Sequence, residues 1–128
     1  MENMKVLVVD DEGDFIELFV KRLKKRQIDI IGVESGYRAL DILKKEKIDV
    51  VLLDVKMPGM DGIDTLREIK TKYPLIEVIM ITGHGSVESG LQGMIHGAYD
   101  YVLKPFDLEV LLNKLKKAFE RKRLKEKA

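Results

Sequence analysis

Asp49-Val50-Val51-Leu52-Leu53-Asp54-Val55-Lys56-Met57-Pro58-Gly59 is the stretch of sequence that decides the fold. Its four consecutive valines and leucines predict a short strand buried on both faces, as the central strands of parallel sheets are. The strand ends on Asp54, and Pro58-Gly59 predicts a turn shortly afterwards. Ligands of open α/β sheets bind at the carboxyl ends of the strands, so Asp54 is a candidate functional carboxylate. Taken alone, Asp54 is at least as well explained by a structural role, because aspartate often begins a turn.

The composition is that of an ordinary globular chain, and the length of 128 residues predicts one domain, 1–128, with a single core. With 23 Lys and Arg against 22 Asp and Glu, the net charge favours neither nucleic acid nor a membrane surface. The absence of cysteine excludes disulfides, thiol catalysis and cysteine-based zinc sites, and two distant histidines disfavour a histidine metal site. No apolar run approaches the roughly 20 residues of a membrane span. Because the start also lacks a signal-peptide pattern, a cytoplasmic location is expected.

Strand and helix patterns alternate five times along the chain. Apolar, β-branched runs predict strands at 4–9, 28–33, 50–54, 76–81 and 99–103. Apolar residues at helical spacing predict helices at 13–26, 35–46, 62–72, 86–96 and 107–126. Short connections of this kind require right-handed crossovers, which place helices on both faces of a parallel sheet. The predicted fold is therefore a doubly wound α/β sandwich of three layers.

Two of the predicted helices have unusual compositions. The fourth contains Gly90 and Gly93, each of which disfavours a helix by about 1 kcal/mol relative to alanine and so predicts a helix of marginal stability. The alternative is that the two glycines allow close packing against the sheet or a neighbouring helix. Four apolar residues are expected to hold this helix to the protein: Val87, Leu91, Met94 and Ile95. The fifth helix ends in a basic segment, 121–128, which predicts either a solvated helix end or the start of a linker.

Polar side chains follow four of the predicted strands, namely Asp10 and Asp11, Asp54, Thr82 and Lys104. The carboxyl ends of parallel strands share one edge of the sheet, so these side chains are expected to converge there. Three carboxylates repel one another unless a cation lies between them, and Mg²⁺ prefers oxygen ligands. A hydroxyl and an ammonium beside them can bind a phosphoryl group. Each residue has a structural explanation by itself, but four matching strand ends favour a functional site.

These strand ends belong to longer motifs that resemble the receiver domain of two-component response regulators. The motifs are Val8-Val9-Asp10-Asp11-Glu12, Leu52-Leu53-Asp54-Val55-Lys56-Met57-Pro58-Gly59-Met60-Asp61-Gly62, Thr82-Gly83 and Tyr101-Val102-Leu103-Lys104-Pro105-Phe106. The resemblance covers essentially the whole chain, and residues 81–101 are especially similar to receivers of the nitrogen-regulator type. It implies a flavodoxin-like fold with the strand order 2-1-3-4-5.

The resemblance implies a magnesium-dependent phosphorylation site. Asp54 would be the acceptor of a phosphoryl group from a phosphohistidine on a sensor histidine kinase or a phosphotransfer protein. Mg²⁺ would be held by Asp10, Asp11, Asp54 and the backbone carbonyl of Lys56. The catalysis would be limited to the domain's own phosphorylation and dephosphorylation.

Further residues acquire roles from the same resemblance. Thr82 and Lys104 would bind the phosphoryl oxygens, and Tyr101 would be the switch aromatic that turns inward with Thr82. The Lys104–Pro105 peptide bond would be cis, with Pro105 setting the direction of the lysine. Lys56 and His84, each two residues beyond a site residue, would modulate the approach of the hydrolytic water.

The expected partners also follow from the resemblance. They are the kinase or phosphotransfer protein and an output domain or partner protein, which would contact the face formed by the fourth helix, fifth strand and fifth helix. A phosphorylation-dependent dimer remains open, and no direct contact with nucleic acid or membrane is expected. One alternative is a receiver-like interaction module that is never phosphorylated. Another is a haloacid-dehalogenase-type phosphotransferase, which would require an aspartate at the position of Lys56.

Overall fold

The protein is described by a computed structural model that covers residues 3–56, 59–83 and 87–128. Strands and helices alternate along it. The strands are β1 (Lys5–Val9), β2 (Asp29–Val33), β3 (Val50–Asp54), β4 (Glu77–Thr82) and β5 (Asp100–Leu103). The helices are α1 (Gly13–Lys25), α2 (Gly36–Lys45), α3 (Gly62–Lys72), α4 (Val87–Ile95) and α5 (Leu108–Lys127). The predicted alternation is confirmed, with differences only at the ends of elements.

The five strands form one parallel sheet in the order β2-β1-β3-β4-β5, which confirms the expected topology. β3 lies at the centre, and all five of its residues are buried, as its continuous apolar run predicts. β3 pairs with β1 as far as Leu53 and with β4 as far as Asp54, whose register partner is Ile81. Asp54 therefore stands at the middle of the carboxyl edge of the sheet.

Helices cover both faces of the sheet because successive strand side chains point to opposite sides. In β1, Val6 and Val8 pack in the layer that contains residues of α1 and α5. Leu7 and Val9 pack in the opposite layer, which contains residues of α2 and α3. The three-layer α/β architecture predicted from the sequence is confirmed.

The fourth helix is attached to the protein differently from the expectation. Val87, Leu91, Met94 and Ile95 are exposed, and the exposed fraction of Ile95 reaches 72%. The buried residues of α4 are Gly90 and Gly93. A Cβ atom on Gly90 would lie 2.4 Å from the Tyr101 ring, and one on Gly93 would lie 2.5 Å from Met80 Cγ. The four apolar side chains therefore do not hold α4 down, and the two glycines allow its backbone to approach the sheet closely.

The basic end of α5 is not uniformly solvated. Lys122 is only 4% exposed, and its Nζ lies 3.0 Å from Asp49 Oδ1 and 2.9 Å from Glu126 Oε2. Burial opposes the charge of Lys122, but its hydrogen bonds to Glu126 and Asp49 outweigh burial and raise its pKa. The expectation of a solvated end is therefore wrong for Lys122. Its partner Asp49 directly precedes β3, so this pair ties α5 to the amino edge of the sheet.

A second ion-pair cluster joins the same two parts of the fold. The carboxylate of Glu77, the first residue of β4, is 1% exposed. Its Oε2 lies 3.1 Å from Arg121 Nε and 3.3 Å from Lys125 Nζ, while Oε1 lies 3.7 Å from Lys70 Nζ. The end of α5 is thus part of the folded unit, at the edge opposite to Asp54.

Replacing Lys122 by methionine is expected to lower the free energy of unfolding by about 1–3 kcal/mol, because Asp49 would lose its cation. The loss should stay below that of a fully buried pair, since Asp49 also accepts a hydrogen bond from the Lys5 backbone N–H at 2.8 Å. Urea denaturation measures the change. The control Lys117→Met, at an exposed position of α5, should stay within about 0.5 kcal/mol. Equal stability of the two variants would contradict a structural role for Lys122.

Candidate functional site

Three carboxylates meet at the carboxyl edge of the sheet. Asp10 follows β1, Asp11 lies beside it, and Asp54 ends β3. Each offers a carboxylate oxygen, and these oxygens all lie within 4.8 Å of one another. Asp10 and Asp54 are buried, whereas Asp11 is exposed. The convergence predicted from the strand ends is thus present, and it forms a cluster with the donor atoms that a hard divalent cation prefers.

Asp54 is buried among like charges. Burial is the main cause that raises its pKa, from the ordinary 3.8 to about 6, and the negative charge of Asp10 adds to it. The charge of Lys104 and a 3.4 Å hydrogen bond from the Lys56 backbone N–H act in the opposite direction. Without a bound cation, ionising Asp54 therefore costs more free energy in the folded protein than in the unfolded chain.

The raised pKa of Asp54 makes stability depend on pH in a defined direction. The folded state binds this proton more tightly than the unfolded chain, so the stabilisation is full below about pH 4 and is lost as pH rises through about 6. Without divalent cations, Asp54→Asn is therefore expected to raise the melting temperature more at about pH 7.5 than at about pH 4.5. Calorimetry at both pH values, with Asp41→Asn as a control, measures the effect. An increase in melting temperature that is the same at both pH values would contradict the raised pKa of Asp54.

Lys104 and Thr82 complete the edge of the site. The Lys104 backbone N–H donates to the Thr82 carbonyl at 2.6 Å, which ties the ends of β5 and β4 together. The Lys104 ammonium donates to Asp10 Oδ2 at 2.6 Å. Thr82 is 1% exposed, and its hydroxyl has no hydrogen-bond partner within the described residues. A buried hydroxyl without a partner is costly, so Thr82 is suited to donate to an acceptor that enters the site.

Two further residues contact Lys104, and no functional role for them follows from the sequence. Glu12 Oε1 lies 3.2 Å from Lys104 Nζ, and the Phe15 ring centroid lies 4.1 Å from the same atom. Glu12 directly follows the acidic pair, but nothing in that position specifies a lysine 92 residues away as its partner. Phe15 has the spacing of an apolar core residue of α1. These contacts with Lys104 therefore arise from the tertiary fold, and no local sequence pattern predicts them.

The remaining predicted site residues lie in different surroundings. Tyr101 is half-buried in β5, with its ring against Gly90 of α4. The Lys104–Pro105 peptide bond is cis. The Lys56 side chain is exposed at the edge of the site. His84 lies outside the described residues.

A cleft of about 840 Å³ opens over the carboxylates and extends along α1. Asp54, Thr82 and Lys104 line its polar end. The rest of the wall is largely apolar and includes Phe15, Leu18, Phe19, Pro105, Phe106 and Leu108. The carboxylates are therefore accessible to a reactive group on a larger molecule whose surrounding surface is apolar.

Comparison with known sequences decides the family. The profile described as "Response regulator receiver domain" matches residues 6–116. This chain belongs to the response regulator receiver family. Its receiver domain is 39% identical over 127 residues to an NtrX-like response regulator of Rickettsia bellii, covering 98% of this chain and 27% of that protein. It is 38% identical over 117 residues to the transcriptional regulatory protein ZraR of Escherichia coli, covering 91% of this chain and 26% of that protein.

Solved structures agree with this family. A receiver domain from Clostridium thermocellum is 35% identical, with a TM-score of 0.89, and the match covers 94% of this chain and 98% of that one. NtrX from Brucella abortus is 32% identical, with a TM-score of 0.91, and the match covers 98% of this chain and 29% of that one. The predicted likeness to nitrogen-regulator receivers is confirmed, and the domain functions in two-component signalling.

The receiver domain spans about a quarter of the length of these curated relatives. Of the helices in the described ranges, none combines the length and apolarity that crossing a bilayer requires.

Proposed function

We propose that this receiver domain accepts a phosphoryl group on Asp54, with Mg²⁺ bound beside it, and thereby changes the surface formed by α4, β5 and α5. The observation that carries the proposal is that a cluster of three carboxylates, two of them buried, meets the Lys104 ammonium and the Thr82 hydroxyl, which has no hydrogen-bond partner among the described residues. We further propose that residues 1–128 act as one domain, because the basic end of α5 is tied to the sheet through Lys122.

In the proposed transfer, a carboxylate oxygen of Asp54 attacks the phosphorus of a phosphohistidine on a sensor histidine kinase or phosphotransfer protein. The bond between phosphorus and the ring nitrogen breaks, its electron pair returns to the imidazole, and Asp54 becomes an acyl phosphate. A carboxylate is a weak nucleophile, so the rate depends on positioning and on neutralisation of charge. The apolar wall of the cleft beside Asp54 supports docking of a protein donor.

The donor set fits Mg²⁺, because oxygen ligands suit it and because the charge of Asp10 helps to raise the pKa of Asp54. We assign Asp10, Asp11, Asp54 and the backbone carbonyl of Lys56 as the residues that hold it. When bound, Mg²⁺ supplies positive charge that offsets the charge of the phosphoryl oxygens.

Thr82 and Lys104 are proposed to bind the phosphoryl oxygens after transfer. Thr82 donates its hydroxyl hydrogen, which has no acceptor among the described residues. Lys104 contributes charge, and its raised pKa keeps it protonated, because its hydrogen bonds to Asp10 and Glu12 outweigh the effect of burial. Both side chains thus serve the product rather than the attack itself.

Tyr101 is proposed to pass the change at Thr82 to α4. Its ring packs against Gly90, so a movement of the ring changes the surface on which α4 rests. The outer side of α4 exposes Val87, Leu91, Met94 and Ile95. This exposed apolar stripe supports the α4-β5-α5 face as the contact for an output domain or partner protein, or for a second receiver after phosphorylation.

Beryllofluoride, a mimic of the phosphoryl group, tests the proposal when it is titrated with and without Mg²⁺ and followed by NMR. We expect Mg²⁺-dependent shifts of the amides of Thr82, Tyr101 and α4. An unchanged spectrum would contradict the proposal and favour an interaction module that works without phosphorylation. The haloacid-dehalogenase alternative loses its support, because the chain belongs to the receiver family and Lys56 occupies the position of the required acid.

The lifetime of the phosphorylated state is expected to depend on Lys56 and His84. Because the Lys56 side chain is exposed at the edge of the site, we propose that it obstructs the in-line water, and we extend the same role to His84. Lys56→Ala and His84→Ala should each accelerate phosphate release by more than about twofold, or roughly 0.4 kcal/mol of barrier. Release from the phosphorylated domain is measured directly, with the exposed Lys72→Ala as a control. Rates within twofold for both variants would contradict steric control.

A further inference from the structure

The Lys104 ammonium is held on the α1 side of the site. Its hydrogen bonds run to Asp10 Oδ2 at 2.6 Å and to Glu12 Oε1 at 3.2 Å. Its charge also lies over the Phe15 ring, at 4.1 Å from the centroid. A lysine has three donors, and two of them are used in these bonds. Within the described residues, no hydrogen bond joins this ammonium to Asp54.

We propose that Glu12 and Phe15 are positioning residues that hold Lys104 away from Asp54 in the resting domain and so oppose its binding to a phosphoryl group. The proposal rests on the proposed function of Asp54. Asp10 also holds Lys104, but it belongs to the carboxylate cluster and takes part in the chemistry there. Glu12 and Phe15 contact Lys104 from outside that cluster, so they can be changed without removing a proposed metal ligand.

The contacts of Lys104 with Glu12 and Phe15 are suited to adjusting an equilibrium rather than blocking it. The Glu12 side chain is 67% exposed, and exposed ion pairs are weak. The interaction of a cation with an aromatic ring at a partly exposed site is about as weak as such an ion pair. Both contacts favour the resting position of Lys104, and a phosphoryl group must compete with them. Their removal should therefore increase the affinity for a phosphoryl mimic, because it destabilises only the resting state.

The Phe15 ring is itself held in place by packing against other aromatic side chains. It stacks on Phe19 at 5.4 Å between centroids and meets Phe106 edge-on at 6.1 Å. Phe106 follows Lys104 by two residues, so the aromatic cluster joins α1 to the segment that carries the lysine. A ring fixed in this way keeps its face towards the ammonium.

The test is a set of beryllofluoride titrations with saturating Mg²⁺, followed by NMR, on the whole chain. Glu12→Gln keeps the length of the side chain and removes its charge, and we expect the dissociation constant to fall about threefold. Phe15→Leu keeps an apolar side chain, and we expect a similar fall. Asp14→Asn is the matched control, since it removes the same charge two residues away and Asp14 is not among the carboxylates that pair with Lys104.

A second readout separates positioning from a general charge effect. The same two substitutions are made in a Lys104→Met background, where we expect them to leave the dissociation constant unchanged. A tightening by Glu12→Gln that Asp14→Asn reproduces, or that persists without Lys104, would overturn the inference. So would affinities that neither substitution changes. Failure of the unsubstituted domain to bind beryllofluoride at all would instead overturn the proposed function on which the inference depends.

Discussion

Asp54→Asn should lower the rate of labelling by acetyl phosphate at least about 100-fold, which corresponds to about 2.7 kcal/mol of barrier. The substitution keeps the size of the side chain and removes the charge that attacks phosphorus. It also removes one of the three carboxylates of the acidic cluster. Hydroxylamine-sensitive incorporation in the presence of Mg²⁺, with the site located by mass spectrometry, measures the loss.

The control for this prediction is Asp61→Asn. Asp61 caps α3 by accepting a hydrogen bond from the Asp64 backbone N–H at 2.8 Å, and asparagine caps helices about as well as aspartate. The variant therefore changes a carboxylate close to Asp54 in the chain without loosening α3, and it should be labelled at the normal rate. Stoichiometric labelling of the Asp54→Asn protein at another residue would remove Asp54 from the role of acceptor.

The strand ends were predictable from the sequence because strand formation and burial are local properties of β1 and β3. A continuous apolar run fixes a central strand, and the parallel topology then brings the ends of different strands to one edge. Asp10, Asp54 and Thr82 were located in this way without knowledge of any contact. The caps of α2 and α5 have a similarly local origin, since serine and aspartate are favoured N-cap residues and Ser35 and Asp107 accept hydrogen bonds from the backbone N–H groups of Arg38 and Glu109.

The contacts of Lys104 and Lys122 could not be predicted in the same way. Lys104 pairs with Glu12 across 92 residues, and Lys122 pairs with Asp49 across 73 residues. A lysine in a basic run is expected to be solvated, because charge patterning describes the average surface and not one partner. The exposure of Leu91 and its apolar neighbours on α4 could not be predicted for a related reason, since hydrophobic periodicity identifies an apolar stripe but not the direction that it faces.

The glycines of α4 show how two explanations of one residue type can be separated. Low helix propensity and close packing both account for Gly90 and Gly93 in the sequence. A Cβ atom added at these positions would lie only 2.4 Å from Tyr101 and 2.5 Å from Met80, which establishes that close packing requires both glycines. Alanine at these positions would therefore push α4 away from the sheet rather than simply strengthen the helix.

Gly62→Ala is expected to have the largest effect on stability, a loss of about 3 kcal/mol, because the new methyl group has no space. It would lie 2.2 Å from the backbone oxygen of Asp54 and 2.6 Å from the Cα of Val55. These are backbone atoms of a strand end that is held by the hydrogen bond from Val55 N–H to the Ile81 carbonyl at 3.0 Å. Neither side can yield cheaply, so either α3 or the backbone of Asp54 must move.

Gly83→Ala is the matched control, since a Cβ there meets no described atom within 4 Å. Its free energy of unfolding should stay within about 0.5 kcal/mol of the unsubstituted protein, whereas Gly62→Ala should melt roughly 10 °C lower. Denaturant and thermal unfolding measure both variants. The folded fraction of Gly62→Ala should also be labelled more slowly by acetyl phosphate, because the clash falls on the backbone of Asp54. Equal stability of Gly62→Ala and Gly83→Ala would contradict the close approach of α3 to the backbone at the end of β3.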